Sequence, residues 1–413
     1  MLSNQRVRLY SQPQILVDML PIESLVLYIP VFIMCAILLT WARLLVYTRR
    51  SLKYSPKLEE VRMLNPNLTP RVSIIVPALN EEKYIGRCLE SLLAQDYYNL
   101  EIISIDDGST DDTLLTMKNV ALADHRLRVI EAGQRPAGWV GKNWPCFIGY
   151  NASMGDILIF TDADTVLSKQ TVTLAVNHIL RENLSAITAI PKLMSDDFLT
   201  SITLPLLSVF LQTRFSPLKV NDSANKLGYF FGSFFAILRG QYESIGTHRE
   251  VCTEIIEDGA IGSLVKTRGI KMKMFRGEHC VDAMWARDRQ GLWNGLLRLL
   301  IPLHREQGKK TVLMVIAIAF LMLSPFISLP AGLYFIYQGG FSFLSTLLTG
   351  LAFITVCIII AVTALILSQS LKNRKQLALG SPIGATVITL SFVISLLKVH
   401  KPQSFTWKGR TYM

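Results

Sequence analysis

A chain of 413 residues has room for one catalytic domain of ordinary size plus further elements; half of it is hydrophobic and its mean hydropathy is positive, which excludes a purely soluble globular protein. The formal net charge of +11 would suit a nucleic acid, but the basic residues gather at the ends of apolar segments rather than in an aromatic-interleaved patch, so no nucleic-acid partner is expected. The six cysteines, at 35, 88, 146, 252, 280 and 357, form no CxxC pair, which excludes a zinc-thiolate motif and suits reduced thiols facing a cytoplasm.

After a tail over 1–21, Ile22 to Val46 exceeds the roughly 20 apolar residues that cross a hydrocarbon core. It is too long for the apolar part of a cleaved signal, and no small-residue cleavage site succeeds it, so it reads as a retained anchor. A linker over 47–70 carries Arg49, Arg50, Lys53 and Lys57 with Pro56, Pro66 and Pro70; the positive-inside rule then places the chain from this linker to the next span in the cytoplasm. From Arg71 the pattern alternates. Val72 to Val76 reads as a buried strand ending at Pro77, and a helix comes next with Tyr84, Cys88, Leu89, Leu92 and Leu93 in phase. Leu100 to Ile105 is a second strand, stopped by Asp106, Asp107, Gly108 and Ser109; Arg128 to Glu131 is a third, and Gly155 to Phe160 runs straight into Thr161, Asp162, Ala163 and Asp164. The expected fold is α/β, a mostly parallel sheet covered on both faces, over 71–300.

Within that domain, Phe198 to Val220 is apolar but interrupted by Pro205, Arg214 and Pro217, and reads as an interfacial helix near 198–220. Gly228 to Ile237 is an aromatic run that reads as ordinary core, with the floor of an acceptor site as the alternative. A membrane region over 311–397 comes after it, with clear spans at Thr311 to Tyr337 and Phe341 to Leu367 joined by a Gly339-Gly340 hairpin. A weaker span at Leu377 to Leu397 is interrupted by Gly380, Pro382 and Gly384, and the basic tail over 398–413 carries Lys398, Lys401, Lys408 and Arg410.

In open sheets of this kind ligands bind at the carboxyl ends of the strands, and the acids sit there. Asp162 and Asp164, one residue apart after a buried strand, offer hard oxygen donors suited to Mg2+ or Mn2+, ions that keep waters and bind substrate phosphates. A plain turn is the alternative, since Asp is common in turns, but the strand delivers both carboxylates to a sheet edge. Asp106 and Asp107 leave their strand on the same side, where a carboxylate can accept from a uracil imide or a ribose hydroxyl. Glu257 and Asp258 precede a helical pattern at Ile261, Leu264 and Val265; they read equally as a base for an acceptor hydroxyl or as acids at a helix amino terminus. His279 stands in no metal-ligand spacing and reads as an ordinary surface or satisfied histidine.

Taken together, Ser73 to Glu82, Ile105 to Thr110, Gly138 to Trp144, Phe160 to Thr165 and the pair Glu257 and Asp258 make the chain resemble a family 2 glycosyltransferase over about half its length. The resemblance implies a glycosyltransferase-A fold and a nucleotide-diphosphate sugar donor, expected to be a UDP-sugar. It implies donor binding by Pro77, Asn80, Glu81, Asp106, Asp107 and Asp162, with Lys142 near the diphosphate or base, and metal binding by Asp162 and Asp164. It further implies Asp258 as catalytic base beside Glu257, and inversion by direct displacement. One amino-terminal anchor with several carboxyl-terminal spans, with Pro136 to Trp144 and Trp407 to Tyr412, is similar to the members that glycosylate membrane lipids, such as those acting on ceramide, hopanoids or carotenoids. Many members carry a Gln/Arg-x-x-Arg-Trp motif after the base; here Arg289, Gln290, Gly291, Leu292 and Trp293 place a leucine where the arginine belongs, leaving Arg287 and Arg289 as candidates for the leaving diphosphate. Two competing readings are a processive polysaccharide synthase and an inactive membrane scaffold of the same fold.

Overall fold

The computed structural model describes residues 22–60, 69–195, 197–308, 310–338, 342–370, 375–399, 405–407 and 410–412. The tail over 1–21, part of the expected linker, the Gly339-Gly340 loop and much of the basic tail lie outside the described residues.

A long helix α1 (Ile22–Tyr54) leads to β1 (Val72–Ala78), α2 (Ile85–Leu93), β2 (Leu100–Asp106), α3 (Thr113–Ala121), β3 (Leu127–Glu131), α4 (Asn143–Ala152) and β4 (Ile157–Phe160). The chain continues through β5 (Thr165–Leu167), α5 (Thr171–Arg181), β6 (Ala186–Ile190), β7 (Lys192–Met194), α6 (Phe198–Phe215), α7 (Pro217–Val220) and β8 (Phe235–Leu238). Next come α8 (Arg239–Ser244), α9 (Thr247–Glu250), α10 (Glu257–Thr267), β9 (Met272–Arg276), β10 (Val281–Met284), α11 (Arg289–Gln307), α12 (Lys310–Tyr337), α13 (Phe343–Ser370) and α14 (Ser381–Val399). Phe405–Trp407 and Arg410–Tyr412 pair antiparallel where the sequence suggested only a basic tail.

The main sheet runs β3-β2-β1-β4-β8-β6-β9, parallel through its first four strands, with β8 antiparallel to both neighbours. Both faces are covered, which is why β1 and β2 are buried along their full length instead of alternating. Val72, Ile74 and Val76 pack with Ile85, Cys88, Leu89 and Leu92 on one face, while Ile75 joins Cys146, Phe230, Phe235, Ile261 and Val265 on the other. Each fully buried Ile or Leu in these layers contributes about 1.5–3 kcal/mol of hydrophobic transfer.

Five helical stretches among the described residues are long and apolar enough to cross a membrane: Tyr28–Tyr54, Phe198–Val220, Lys310–Tyr337, Phe343–Gln369 and Lys375–Lys398. Two differ from the sequence reading. α1 continues past Val46 to Tyr54, taking up the start of the expected linker. The stretch expected to lie at the interface, α6 with α7, is itself long and apolar enough to cross, and α6 packs against α1, α13 and α14. Gly384, which looked like an interruption, makes that packing possible: a Cβ there would collide with the Ile202 carbonyl, so its absence lets the α14 and α6 backbones meet.

Arg276, at the end of β9, ties the layers together. Its buried guanidinium donates to Glu278 at 2.9 Å, to the Leu52 carbonyl in the last turns of α1, and to Gln369 near the end of α13 at 2.9 Å. The sheet is thereby fixed to two of the apolar helices at one buried point.

Candidate active site

Strand register gathers the acids. Ala78 pairs with Asp106 and Ile75 with Phe160, so the chain leaving β2 and β4 brings Asp107 and Asp162 to either side of the loop after β1. That loop turns through Asn80, held in the left-handed region at φ 52°, and is stitched to the loop after β2. The Asn80 amide donates to Ser109 Oγ at 3.0 Å, Asn80 Oδ1 accepts from the Thr110 amide at 2.9 Å, and the Glu81 amide donates to Thr113 Oγ1 at 2.7 Å. Asp106 turns its carboxylate back on its own loop, accepting from the amides of Gly108 and Ser109 at 3.1 and 3.2 Å. Asn80 and Asp106 therefore shape the loops, while Pro77, Glu81 and Asp107 line the cavity beside them.

A small second sheet, β5-β10-β7, supplies the opposite wall. Antiparallel pairing of Ala283 with Thr165 sets the chain after β10 against the Asp162 to Asp164 turn, and Arg287 reaches back to pair with Glu81 and, at 3.4 Å, with Asp164. Arg287 also lies over the Tyr84 ring, 4.3 Å from its centroid. Burial opposes the guanidinium charge, but Glu81 and Asp164 outweigh it and raise its pKa further. On the far side Arg135 pairs with Asp107.

Lys142 is the hub. Asn143, fully buried, donates to the carbonyls of Val140 and Glu254, both at 2.9 Å, which locks the loop before α4 against the segment entering α10. The Lys142 ammonium then pairs with Asp162 at 2.5 Å and with Glu257 at 2.9 Å. Burial works against its charge, yet Asp162, Glu257 and Asp258 hold its pKa well above the ordinary lysine value. Burial drives the Glu257 carboxyl the other way, up to about 7, with Lys142 opposing and Asp258 adding to the rise. The folded state therefore binds this proton more tightly than the unfolded chain. Its contribution to stability is complete below the ordinary carboxyl range near 4.5 and is lost as pH rises through about 7. The melting-temperature advantage of the parent over Glu257→Gln is expected to shrink steadily between about pH 5 and 8; a pH-independent difference would mean that the carboxyl is ionised throughout.

Asp258 sits one step behind. Its Oδ2 accepts from the Gly232 amide at 2.6 Å and its Oδ1 from the Gly259 amide at 2.8 Å, the second marking it as a first-turn acid of α10. The helix-terminus reading of the Glu257-Asp258 pair thus describes where the pair stands in the fold. A Cβ built on Gly232 would lie 2.7 Å from both Asp258 Oδ2 and Lys142 Nζ, and 3.3 Å from Asp162 Oδ2, so these groups surround one point.

The cavity at the strand ends has a volume of about 580 Å³ and takes in Asp107, Lys142, Asp162, Asp164 and Arg287. Its remaining wall is one face of α11: Gln290, Gly291, Asn294, Gly295 and Arg298. Leu292, in the place of the expected arginine, is buried on the opposite face with Leu296 and Leu300, against the apolar helices. Arg289 does not line the cavity, whereas Arg298 does. The sequence reading missed Arg298, Arg135 and Gly232. For Arg298 a signal was present in the polar and small residues recurring every three or four positions from 290 to 298. His279 is exposed and outside the cavity.

Asp162 and Asp164 fit a divalent ion by donor chemistry: two hard carboxylates line one cavity. Among the described residues no third His, Cys, Asp or Glu joins them. A ligand set this short suits an ion that completes its shell with water and substrate phosphate, not a caged structural metal.

Residues 73–246 match the family model described as glycosyl transferase family 2. An uncharacterized glycosyltransferase of Haemophilus influenzae is 31% identical over 115 residues, 28% of this chain and 44% of that protein. The 4,4'-diaponeurosporenoate glycosyltransferase of Staphylococcus aureus is 27% identical over 213 residues, 50% of this chain and 54% of that one. The chain spans about half or less of the length of these curated relatives. Among solved structures, the mannosyltransferase PcManGT from Pyrobaculum calidifontis, in complex with GDP-Man and Mn2+, superposes with a TM-score of 0.53 at 19% identity, covering 90% of this chain and 98% of that one. At that identity the likeness establishes the fold.

Proposed function

Starting from the premise that residues 73–246 form a family 2 glycosyltransferase domain, we propose that this chain transfers one sugar, with inversion, from a nucleotide-diphosphate sugar to a hydroxyl of a membrane lipid. The observation that carries the reading is the convergence of Glu81, Asp107, Asp162 and Asp164 on one cavity whose far wall is a helix packed against apolar spans. A UDP-sugar is the expected donor, with the catalytic domain on the cytoplasmic face.

In this reading Pro77, Glu81 and Asp107 hold the nucleoside, and Arg135 gives up Asp107 as the nucleoside enters. Asp162 and Asp164 would hold Mg2+ or Mn2+, which supplies positive charge against the donor diphosphate. Lys142 and Arg287 bring further cations to the place where charge develops on the leaving group. Asp258 takes the proton from the acceptor hydroxyl as its oxygen attacks the anomeric carbon; the bond from that carbon to the diphosphate breaks and the nucleoside diphosphate departs. The carotenoid glycosyltransferases of Staphylococcus support a lipid acceptor, and the Mn2+ and GDP-Man of the mannosyltransferase structure support a metal-assisted nucleotide sugar.

The full chain in lipid nanodiscs, supplied with candidate nucleotide sugars, is expected to release nucleoside diphosphate only when a lipid extract is present. Release that ignores lipid would remove the lipid acceptor, and no release under any condition would favour an inactive scaffold. Asp162→Ala is expected to weaken Mn2+-dependent binding of UDP by at least about tenfold, as the loss of a charged ligand should. Calorimetry with and without Mn2+ reads it, and equal affinities would remove Asp162 from the metal site.

A further inference from the structure

The two carboxylates that fit a divalent ion are each engaged by a different side-chain cation. Lys142 Nζ lies 2.5 Å from Asp162 Oδ1, and Arg287 reaches Asp164 Oδ2 at 3.4 Å. The cations arrive independently, Lys142 from the loop ahead of α4 and Arg287 from the segment between β10 and α11. Both are held in place. Asn143 ties the Lys142 loop to the Glu254 carbonyl at 2.9 Å, and the Tyr84 ring lies under the Arg287 guanidinium.

Each cation is also shared with a second acid outside the Asp162-Asp164 pair. Lys142 bonds Glu257 at 2.9 Å, and Arg287 pairs with Glu81. A cation with two partners can let go of one without leaving the cavity, so Asp162 and Asp164 can be released by short movements.

A bare divalent ion meets this arrangement badly. It seeks the same carboxylate oxygens, and binding there means either displacing the ammonium and guanidinium or holding cation against cation a few ångströms apart. An ion that arrives with a diphosphate differs, because the phosphate oxygens give the two displaced cations a new partner that both bind well.

We propose that Lys142 and Arg287 hold the metal's place: they keep Asp162 and Asp164 from a bare divalent ion and yield to one that comes with a diphosphate. The inference rests on the metal-assisted reading of the donor site and adds the order of assembly, metal and nucleoside diphosphate together instead of metal first.

Mn2+ titrations of the full chain in detergent, followed by the electron-paramagnetic-resonance signal of the unbound ion, test it. With no phosphate present, Lys142→Met is expected to bind Mn2+ at least about tenfold more tightly than the parent. Arg287→Gln should shift the same way by less, since its contact with Asp164 is longer. Lys118→Met, which removes a surface cation paired with Glu131, should stay within about twofold of the parent. With saturating pyrophosphate the order should reverse, the parent binding Mn2+ more tightly than Lys142→Met. Equal affinities of the parent and Lys142→Met for the bare ion would overturn the proposal, and so would an equal gain in Lys118→Met, which would reduce the effect to net charge. A parent that binds Mn2+ as tightly without pyrophosphate as with it would overturn it with no variant needing to fold. Mn2+ that binds under none of these conditions, nor with UDP, would instead strike the metal-assisted reading itself and the inference with it.

Discussion

Asp258→Asn is expected to turn over about a thousandfold more slowly than the parent while binding UDP and Mn2+ within about a factor of two. The asymmetry comes from where the carboxylate sits. Asp258 is fixed by the amides of Gly232 and Gly259, so removing its charge is expected to leave the nucleoside pocket intact. What is lost is the acceptor for a proton that moves only in the transition state, and such a loss appears in kcat and kcat/KM together. Glu257 is not expected to take over, because its carboxyl is committed to Lys142 at 2.9 Å. Single-turnover rates with a saturating donor measure the effect; a variant as fast as the parent would move the base elsewhere.

Much of the cavity at the strand ends was legible in the sequence because strand endings are a local property. Apolar runs closing on Pro77, Asp106 and Phe160 mark where chain leaves a sheet, and parallel pairing delivers those ends to one edge. What the pattern could not separate was two acids at one such end: Asp106 and Asp107 look alike in sequence, yet alternation along the strand turns one back to cap its loop and the other to the cavity. The far wall of the cavity was less legible. It is built from α11, whose apolar face reads as the approach to a span and whose cavity-facing stripe is diluted by Gly291 and Gly295. The motif spacing points to Leu292, a position that helical phase places on the buried face, and so points away from Arg298, the cation on the cavity face.

Gly232→Ala is expected to cost about a hundredfold in turnover while changing the melting temperature by only a few degrees. The aromatic run from Gly228 to Ile237 does form core, with Phe230, Phe234 and Phe235 buried, but the burial serves a second purpose. Phe231 and Phe234 bridge across a tight turn, the Phe234 amide donating to the Phe231 carbonyl at 2.9 Å, and Gly232 at the turn aims its amide at Asp258 Oδ2. The Gly232 backbone is not among those in the left-handed region, so alanine carries no conformational penalty there. Its methyl would instead lie 2.7 Å from the Asp258 carboxylate and the Lys142 ammonium. Both are side-chain ends that can shift at small cost to the fold, but a shift of less than an ångström spoils a proton transfer. If Gly232 acts through Asp258, then Gly232→Ala should add almost nothing to Asp258→Asn, and the double variant should turn over about as slowly as the single one. A multiplicative loss in the double variant would show that the turn serves the reaction by some route other than the base.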